Sequence, residues 1–131
     1  LHLQGMTGIG TSGGTLHDGI ISDNKLYGAG IGMSYFMSGG VIHHNLVELC
    51  NYEGIKLSLS AGVSVTNNSI SVRSLNAIRL NQVSNVQVQD NQFSYLPGTN
   101  TYAVLKVDPT QISGTQVSNN QLSGFLAETN Y

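Results

Sequence analysis

Five asparagine residues recur at nearly regular intervals, and this repeat limits the possible folds more than any other feature of the chain. Their separations are 21, 23, 23 and 29 residues. The five positions are Asn24, Asn45, Asn68, Asn91 and Asn120. A period of this length, built from short runs of β-forming residues, predicts a solenoid in which each repeat forms one coil.

Each repeated asparagine has the same apolar neighbours. Three positions before it stands a branched apolar residue: Ile21, Ile42, Val65, Val88 or Val117. Two positions after it stands another apolar residue: Leu26, Val47, Ile70, Phe93 or Leu122. Because an amide side chain has both donors and an acceptor, asparagines one coil apart can bond to each other at the strand spacing of about 4.8 Å. We also expect these asparagines to adopt the left-handed backbone of a sharp turn, which Asn tolerates well.

A second repeated segment supports the same coils. We align Gly8-Ile9-Gly10, Gly30-Ile31-Gly32, Gly54-Ile55-Lys56, Ala77-Ile78-Arg79 and Val104-Leu105-Lys106 as one strand per coil. The middle residue of each triplet is apolar and is expected to point inward, whereas the third is expected to point outward. A third short strand precedes each asparagine. Three strands per coil predict an all-β fold, a parallel β-helix of about five to six coils.

These repeats resemble the right-handed parallel β-helix family of pectate lyases and phage tailspikes. The resemblance rests on the strand Gly54-Ile55-Lys56-Leu57, the strand Val63-Ser64-Val65 and the segment Asn68-Ser69-Ile70, and it covers about residues 5 to 124. It implies a right-handed coil, an extracellular or virion-surface location, a polysaccharide partner and the option of bound Ca²⁺. We otherwise predict no cofactor.

Residues 1–131 are expected to form a single β-helix domain, as a C-terminal or internal fragment of a longer β-helix, because the first repeated strand needs earlier strands to complete its coil.

The composition of the chain argues against two classes of partner, nucleic acid and membrane. A net charge of −2 argues against nucleic acid as an electrostatic partner. The sequence contains no run of about 18 apolar residues, so we predict no membrane span. The single cysteine, Cys50, is expected to be buried.

The outward positions of the second repeated segment predict a candidate site. They read Gly10, Gly32, Lys56, Arg79 and Lys106. Three cations in one column would suit an acidic polysaccharide, and in the lyases of the resembled family the substrate groove follows this face. For β-elimination, Arg79 or Lys56 would be the base, while Lys106 would bind substrate. The alternative is that these charges only add solubility and block edge pairing.

Acids and aromatic rings flank this predicted ladder. Glu48 and Glu53 lie in one loop and are candidate catalytic carboxylates, although the repeat fixes no spacing between them. Tyr52 and Tyr102 are expected on the groove rim, where their rings would stack on sugars. The alternative is that tyrosine is simply common at strand ends. His44 and Asp23 fall in one column, but two ligands do not make a zinc site, and we predict no metal centre.

The exterior of the first coils is unusually apolar. Ile20, Val41 and Leu46 occupy positions held later by serine and glutamine. An apolar exterior indicates a covered surface, and packing as a homotrimer would supply one. Two functions therefore stay open. One is a polysaccharide-binding or polysaccharide-degrading β-helix of the lyase, hydrolase or tailspike depolymerase type; the other is a non-catalytic structural, adhesin or spike-shaft module.

Overall fold

The computed structural model describes residues 7–11, 13–96 and 98–130, which form sixteen β-strands and one short 3-10 helix, Pro109–Gln111. The strands are β1 Thr7–Gly10, β2 Leu16–Ser22, β3 Lys25–Tyr27, β4 Ile31–Tyr35, β5 Met37–His43, β6 Leu46–Cys50, β7 Ile55–Ala61, β8 Ser64–Thr66, β9 Ser69–Val72, β10 Ile78–Ser84, β11 Gln87–Gln89, β12 Gln92–Tyr95, β13 Asn100–Lys106, β14 Gln116–Ser118, β15 Gln121–Ser123 and β16 Phe125–Thr129. No helix within these described ranges is long and apolar enough to cross a membrane.

All strand pairs are parallel, and each strand pairs with its equivalent one coil away. One ladder runs β1-β4-β7-β10-β13-β16, and a second runs β2-β5-β8-β11-β14. The third ladder is a separate five-stranded sheet, in the order β3-β6-β9-β12-β15. Since this sheet holds one strand per coil, the described chain forms five coils, and the predicted parallel β-helix is confirmed.

The core lies inside the coils and is built from columns of aliphatic side chains. Ile55 stacks on Ile78, and Val65 stacks on Val88, with all four fully buried. The alternation of inward and outward side chains along a strand produces these columns. Burying each such side chain stabilises the fold by about 1.5–3 kcal/mol. Cys50 is also fully buried, as predicted.

The predicted asparagine ladder is present. The Nδ2 of each asparagine donates to the Oδ1 of the next, at 3.0 Å from Asn24, 2.9 Å from Asn45, 3.0 Å from Asn68 and 3.0 Å from Asn91. Each of these acceptor oxygens also receives the backbone N–H of the preceding asparagine. The ladder thus satisfies a buried turn of every coil with side-chain amides.

The expectation that the ladder asparagines are left-handed was wrong. The residue before each of them has φ between 54° and 58°. These left-handed residues are Asp23, His44, Asn67, Asp90 and Asn119. The turn is made one position earlier, because the ladder asparagine must direct its amide inward toward the next coil.

A second left-handed turn, which the sequence reading missed, lies six positions before each ladder asparagine. It is occupied by Asp18, Gly39, Gly62, Asn85 and Gly114, with φ between 50° and 74°. Glycine, Asn and Asp tolerate this conformation best. In the third to fifth coils the two turns bound the second strand, whereas Asp18 and Gly39 lie within the longer strands β2 and β5.

The end of the ladder at Asn120 is covered by β16. This strand pairs with β13, and the Glu128 carboxylate accepts the Asn120 backbone N–H at 2.5 Å. Glu128 therefore provides at this position the oxygen that an asparagine of a further coil would provide.

Candidate functional site

Two of the three predicted cations are vertical neighbours on the outside of the coil. Lys56 pairs in register with Arg79, between Ser34 on one side and Leu105 on the other. At the strand spacing, their backbones are about 4.8 Å apart. The structure therefore confirms a basic pair rather than a ladder of three cations.

The predicted placement of Lys106 in this column was wrong. Lys106 pairs with Leu80, one position out of register with Arg79. It lines a separate depression of about 150 Å³ with Pro109 and Ile112. The inward residue of this coil is the fully buried Val104, not Leu105. Both are apolar, so the sequence pattern could not distinguish the two registers.

The predicted register of the second coil was also wrong. Met33, not Ile31, pairs with Ile55, and Met33 is fully buried. Gly32 therefore leaves the predicted outward column, and Ser34 takes that position. β4 begins at Ile31, but its pairing with β7 begins at Met33, two residues further along the chain than the alignment placed it.

Arg79 is fixed by a buried carboxylate. Its Nη1 lies 3.2 Å from Oε1 of Glu53, whose side chain is 5% exposed, whereas the Arg79 side chain is 36% exposed. Within the described part of the chain, the buried Arg79 Nε has no hydrogen-bond partner. The carboxylate holds the guanidinium in place through one contact, and the partly exposed guanidinium keeps further N–H donors for an anion.

Two polar side chains extend the surface around the basic pair. Ser58 and Asn81 follow Lys56 and Arg79 by two positions, pair with each other in register and are partly exposed. Residues two apart on a strand lie on the same face. We refer to Lys56, Ser58, Arg79 and Asn81 as the Lys56–Arg79 face.

The remaining predicted site residues are not gathered at this face. Glu48 lies on β6, in the five-stranded sheet, where it pairs with Tyr27. Tyr52 is 50% exposed in the turn before β7, next to Glu53. Tyr102 lies within β13 and pairs with Ala127. Because β7 and β13 are separated by β10, the two tyrosines belong to coils two strand spacings apart, about 10 Å.

His44 does share a turn column with Asp23, as predicted, but its Nδ1 lies 2.6 Å from Nδ1 of His43. The described residues contain no group of three potential metal ligands.

The turn column and the strand after it enclose a polar surface groove that the sequence reading missed. A depression of about 280 Å³ is lined by His44, Asn67, Asn68, Ser69, Asp90 and Gln92. A second, of about 140 Å³, shares Asp90 and Gln92 and continues the groove to the next coil. The sequence does contain an indication of this groove. In the third to fifth coils, both the residue before each ladder asparagine and the residue after it are polar.

The predicted apolar exterior is confirmed as a column for Ile20 and Val41, whereas Leu46 lies on β6 of the five-stranded sheet. Ile20 pairs with Val41, and the same column continues through Ser64, Gln87 and Gln116. Ile20 is 70% exposed. The first two coils thus present an apolar outer strip that is polar in later coils.

Two buried groups have shifted acidities. Burial raises the pKa of the Cys50 thiol to about 11, although a hydrogen bond with the Gly32 backbone opposes the shift. Burial likewise raises the pKa of Tyr35 to about 12. Both groups belong to the core, so neither is available to a surface site at neutral pH.

A family model described as a right handed beta helix region matches residues 2–131, almost the whole chain. No curated protein and no solved structure matches the chain.

Proposed function

This chain belongs to the family of right-handed β-helix proteins, and from that membership we propose that it is a polysaccharide-binding module whose Lys56–Arg79 face holds acidic glycans. The observation that carries the proposal is the pair of adjacent outward cations, one of them anchored by Glu53. Guanidinium and ammonium groups bind carboxylates through charge-assisted hydrogen bonds, and a fixed guanidinium loses less side-chain entropy on binding.

The same ion pair favours binding over catalysis by Arg79. A base that removes a proton must first be unprotonated, whereas a guanidinium remains charged in proteins. Arg79 also already donates to the Glu53 carboxylate. In a lyase reaction, Lys56 would therefore be the base and Arg79 the group that binds the substrate carboxylate. Glu53 is occupied by Arg79, which leaves it poorly placed to act as the acid of a hydrolase.

The binding test uses oligogalacturonate and a neutral oligosaccharide of equal length as probes, with calorimetry at low and high salt. We expect the oligogalacturonate to bind and its affinity to fall with salt, since the contacts are ionic. Lys56→Gln should weaken binding by about tenfold, the loss expected for one charge-assisted hydrogen bond. Lys25→Gln is the matched control, because Lys25 is exposed on β3 of the other sheet.

Arg79 needs a paired variant. Arg79→Gln alone would leave the Glu53 carboxylate buried and unpaired, so the double variant Arg79→Gln with Glu53→Gln is used. Equal affinity of the wild type, Lys56→Gln and the double variant would refute the proposal. Ultraviolet absorbance from unsaturated sugars during the same incubation would add lyase activity to the binding function, and it should then disappear in Lys56→Gln.

A structural module, such as the shaft of a trimeric spike or adhesin, is the second candidate, and the apolar strip of Ile20 and Val41 favours it. Sedimentation velocity of the wild type and of Ile20→Lys tests this candidate. A trimer that dissociates in the variant supports it, whereas a monomeric wild type removes it. An extracellular or virion-surface location would suit either function and stays a prediction, as does the binding of Ca²⁺.

A further inference from the structure

A polar groove runs beside the asparagine ladder, at the corner between the second and third strand ladders. We call it the ladder groove and define it by Asn67, Ser69, Asp90, Gln92, Asn119 and Gln121. Ser69, Gln92 and Gln121 are register partners on three successive coils. The groove therefore follows the stacking axis of the coils, and it extends over about 10 Å between its first and last coil.

The side chains of the groove are available for binding. Within residues 7–11, 13–96 and 98–130, the side chains of Asn67, Asp90, Gln92, Asn119 and Gln121 make no hydrogen bond or ion pair. All five are exposed. Four primary amides and one carboxylate thus offer donors and acceptors at the spacing of the coils.

The floor of the groove is rigid. Directly beneath it lie Asn68 and Asn91, which are 2% and 1% exposed and bonded to each other at 3.0 Å. The groove residues Asn67, Asp90 and Asn119 sit in the left-handed turn that the ladder fixes. A preorganised surface pays less conformational entropy when a ligand binds.

The chemistry of the lining selects the ligand class. His44 lines one end of the larger depression, no lysine or arginine lines either of them, and the Asp90 carboxylate lines both, so an anion is disfavoured. Of the two apolar side chains at the adjoining depression, Phe93 is 1% exposed and Leu122 is partly buried against the core, so an apolar ligand gains little. The closely spaced hydroxyl groups of a neutral sugar can both donate to and accept from the side-chain amides of this lining.

We propose that the ladder groove binds a neutral glycan chain that lies along the stacking axis of the coils. This surface is on a different ladder from the Lys56–Arg79 face and differs from it in charge. The inference therefore does not depend on the function proposed for that face.

The test is a titration of isotopically labelled protein, followed through its side-chain amide signals by NMR. The probes are neutral hexasaccharides of β-1,4-linked glucose, β-1,4-linked mannose, β-1,4-linked xylose and α-1,4-linked glucose. At least one of them should shift the side-chain amide signals of Gln92, Gln121, Asn67 and Asn119. The Lys56–Arg79 face should not respond to that probe, whereas oligogalacturonate should produce the opposite pattern if the proposed function holds.

Variants separate specific binding from general surface contact. Gln92→Ala should weaken the affinity for the responding probe by about fivefold, the effect of one or two lost neutral hydrogen bonds. Gln87→Ala is the matched control, since Gln87 is an exposed glutamine on the same coil but on β11. The dispersion of the backbone amide spectrum confirms that each variant is folded.

Two results would overturn the inference. One is that millimolar concentrations of all four probes leave the groove signals unchanged. The other is that Gln92→Ala binds the responding probe as tightly as the wild type and Gln87→Ala do.

Discussion

Replacement of Asn68 by alanine tests whether the ladder stabilises the fold. Asn68 lies at the middle of the ladder and is 2% exposed. Its Oδ1 accepts the backbone N–H of Asn45 at 3.0 Å and the Nδ2 of Asn45 at 2.9 Å. Its own Nδ2 donates to Ile42 O at 3.0 Å and to Asn91 Oδ1 at 3.0 Å. The same Nδ2 also donates to Thr66 O at 3.1 Å, and alanine removes all five bonds.

The magnitude follows from which groups lose every partner. The buried Asn45 N–H has no other acceptor in the described structure, and an orphaned buried donor costs about 1–3 kcal/mol. The lost side-chain bonds add about 2 kcal/mol. We therefore expect Asn68→Ala to lower the free energy of unfolding by about 4 kcal/mol. This is a large part of the 5–15 kcal/mol that is typical of a domain.

Asn24→Ala is the matched comparison at the end of the ladder. Asn24 is partly exposed, and its removal leaves the Asn45 Oδ1 still bonded to the Asn24 backbone N–H. We expect a loss of about 1 kcal/mol, because the two bonds that are lost, to Ser22 O and Asn45 Oδ1, come from one partly exposed amide and leave no buried group without a partner. The difference between the two variants, about 3 kcal/mol, isolates the orphaned N–H and the buried position.

Guanidinium chloride denaturation of both variants measures these losses, provided that the dependence on denaturant is unchanged. Hydrogen exchange of the Asn45 amide is an independent measurement, and it should become faster in Asn68→Ala but not in Asn24→Ala. Equal destabilisation by the two variants, or a loss below about 1 kcal/mol for Asn68→Ala, would show that the ladder follows from the fold rather than stabilising it.

Three further predictions concern the turns, the covered end of the ladder and the core. Gly62 has φ of 67°, and a Cβ there would meet nothing closer than 3.8 Å, so only backbone strain opposes substitution. Gly62→Ala should therefore cost about 1 kcal/mol in thermal or chemical denaturation and Gly62→Asn less, since Asn85 adopts this conformation one coil away; equal costs would contradict this explanation. Glu128→Ala should cost about 1–2 kcal/mol because it removes the acceptor of the Asn120 N–H, and Glu128→Gln, which keeps an oxygen, should cost less; a neutral Glu128→Ala would show that the contact is not stabilising. The pKa of Cys50 is raised from 9.0 to about 11, so its contribution to stability is complete below pH 9 and is lost as pH rises toward 11, by about 2–3 kcal/mol. Denaturation at pH 8 and pH 11 should show a smaller loss for Cys50→Ala than for the wild type, and equal losses would contradict the shift.

The candidate site was only partly predictable from the sequence. The pairing of Lys56 with Arg79 follows from the repeat, because coils of 23 residues keep equivalent positions in register. The ion pair of Arg79 with Glu53 does not, since Glu53 lies in a turn whose path no periodicity defines. The ladder groove was missed because polar residues at a turn look like ordinary solvent-exposed positions until neighbouring coils are stacked.

The sequence alone determined the winding of the chain. Asparagine, the branched apolar residue before it and the apolar residue after it recur together, and only stacked coils can pair all of these groups with their own kind. The sequence also indicates the second turn column, because a glycine, Asn or Asp stands six positions before each ladder asparagine.

Only the tertiary structure decided the register of coils whose turns differ in length. Leu105 and Val104 both suit a core position, and the choice of Val104 shifts Lys106 out of the basic column. It also decided that Glu53 is buried against Arg79 while Glu48 lies on the other sheet. The physical reason is that strand pairing fixes positions along a coil, whereas the direction of a turn residue depends on the packing of the coils on either side of it.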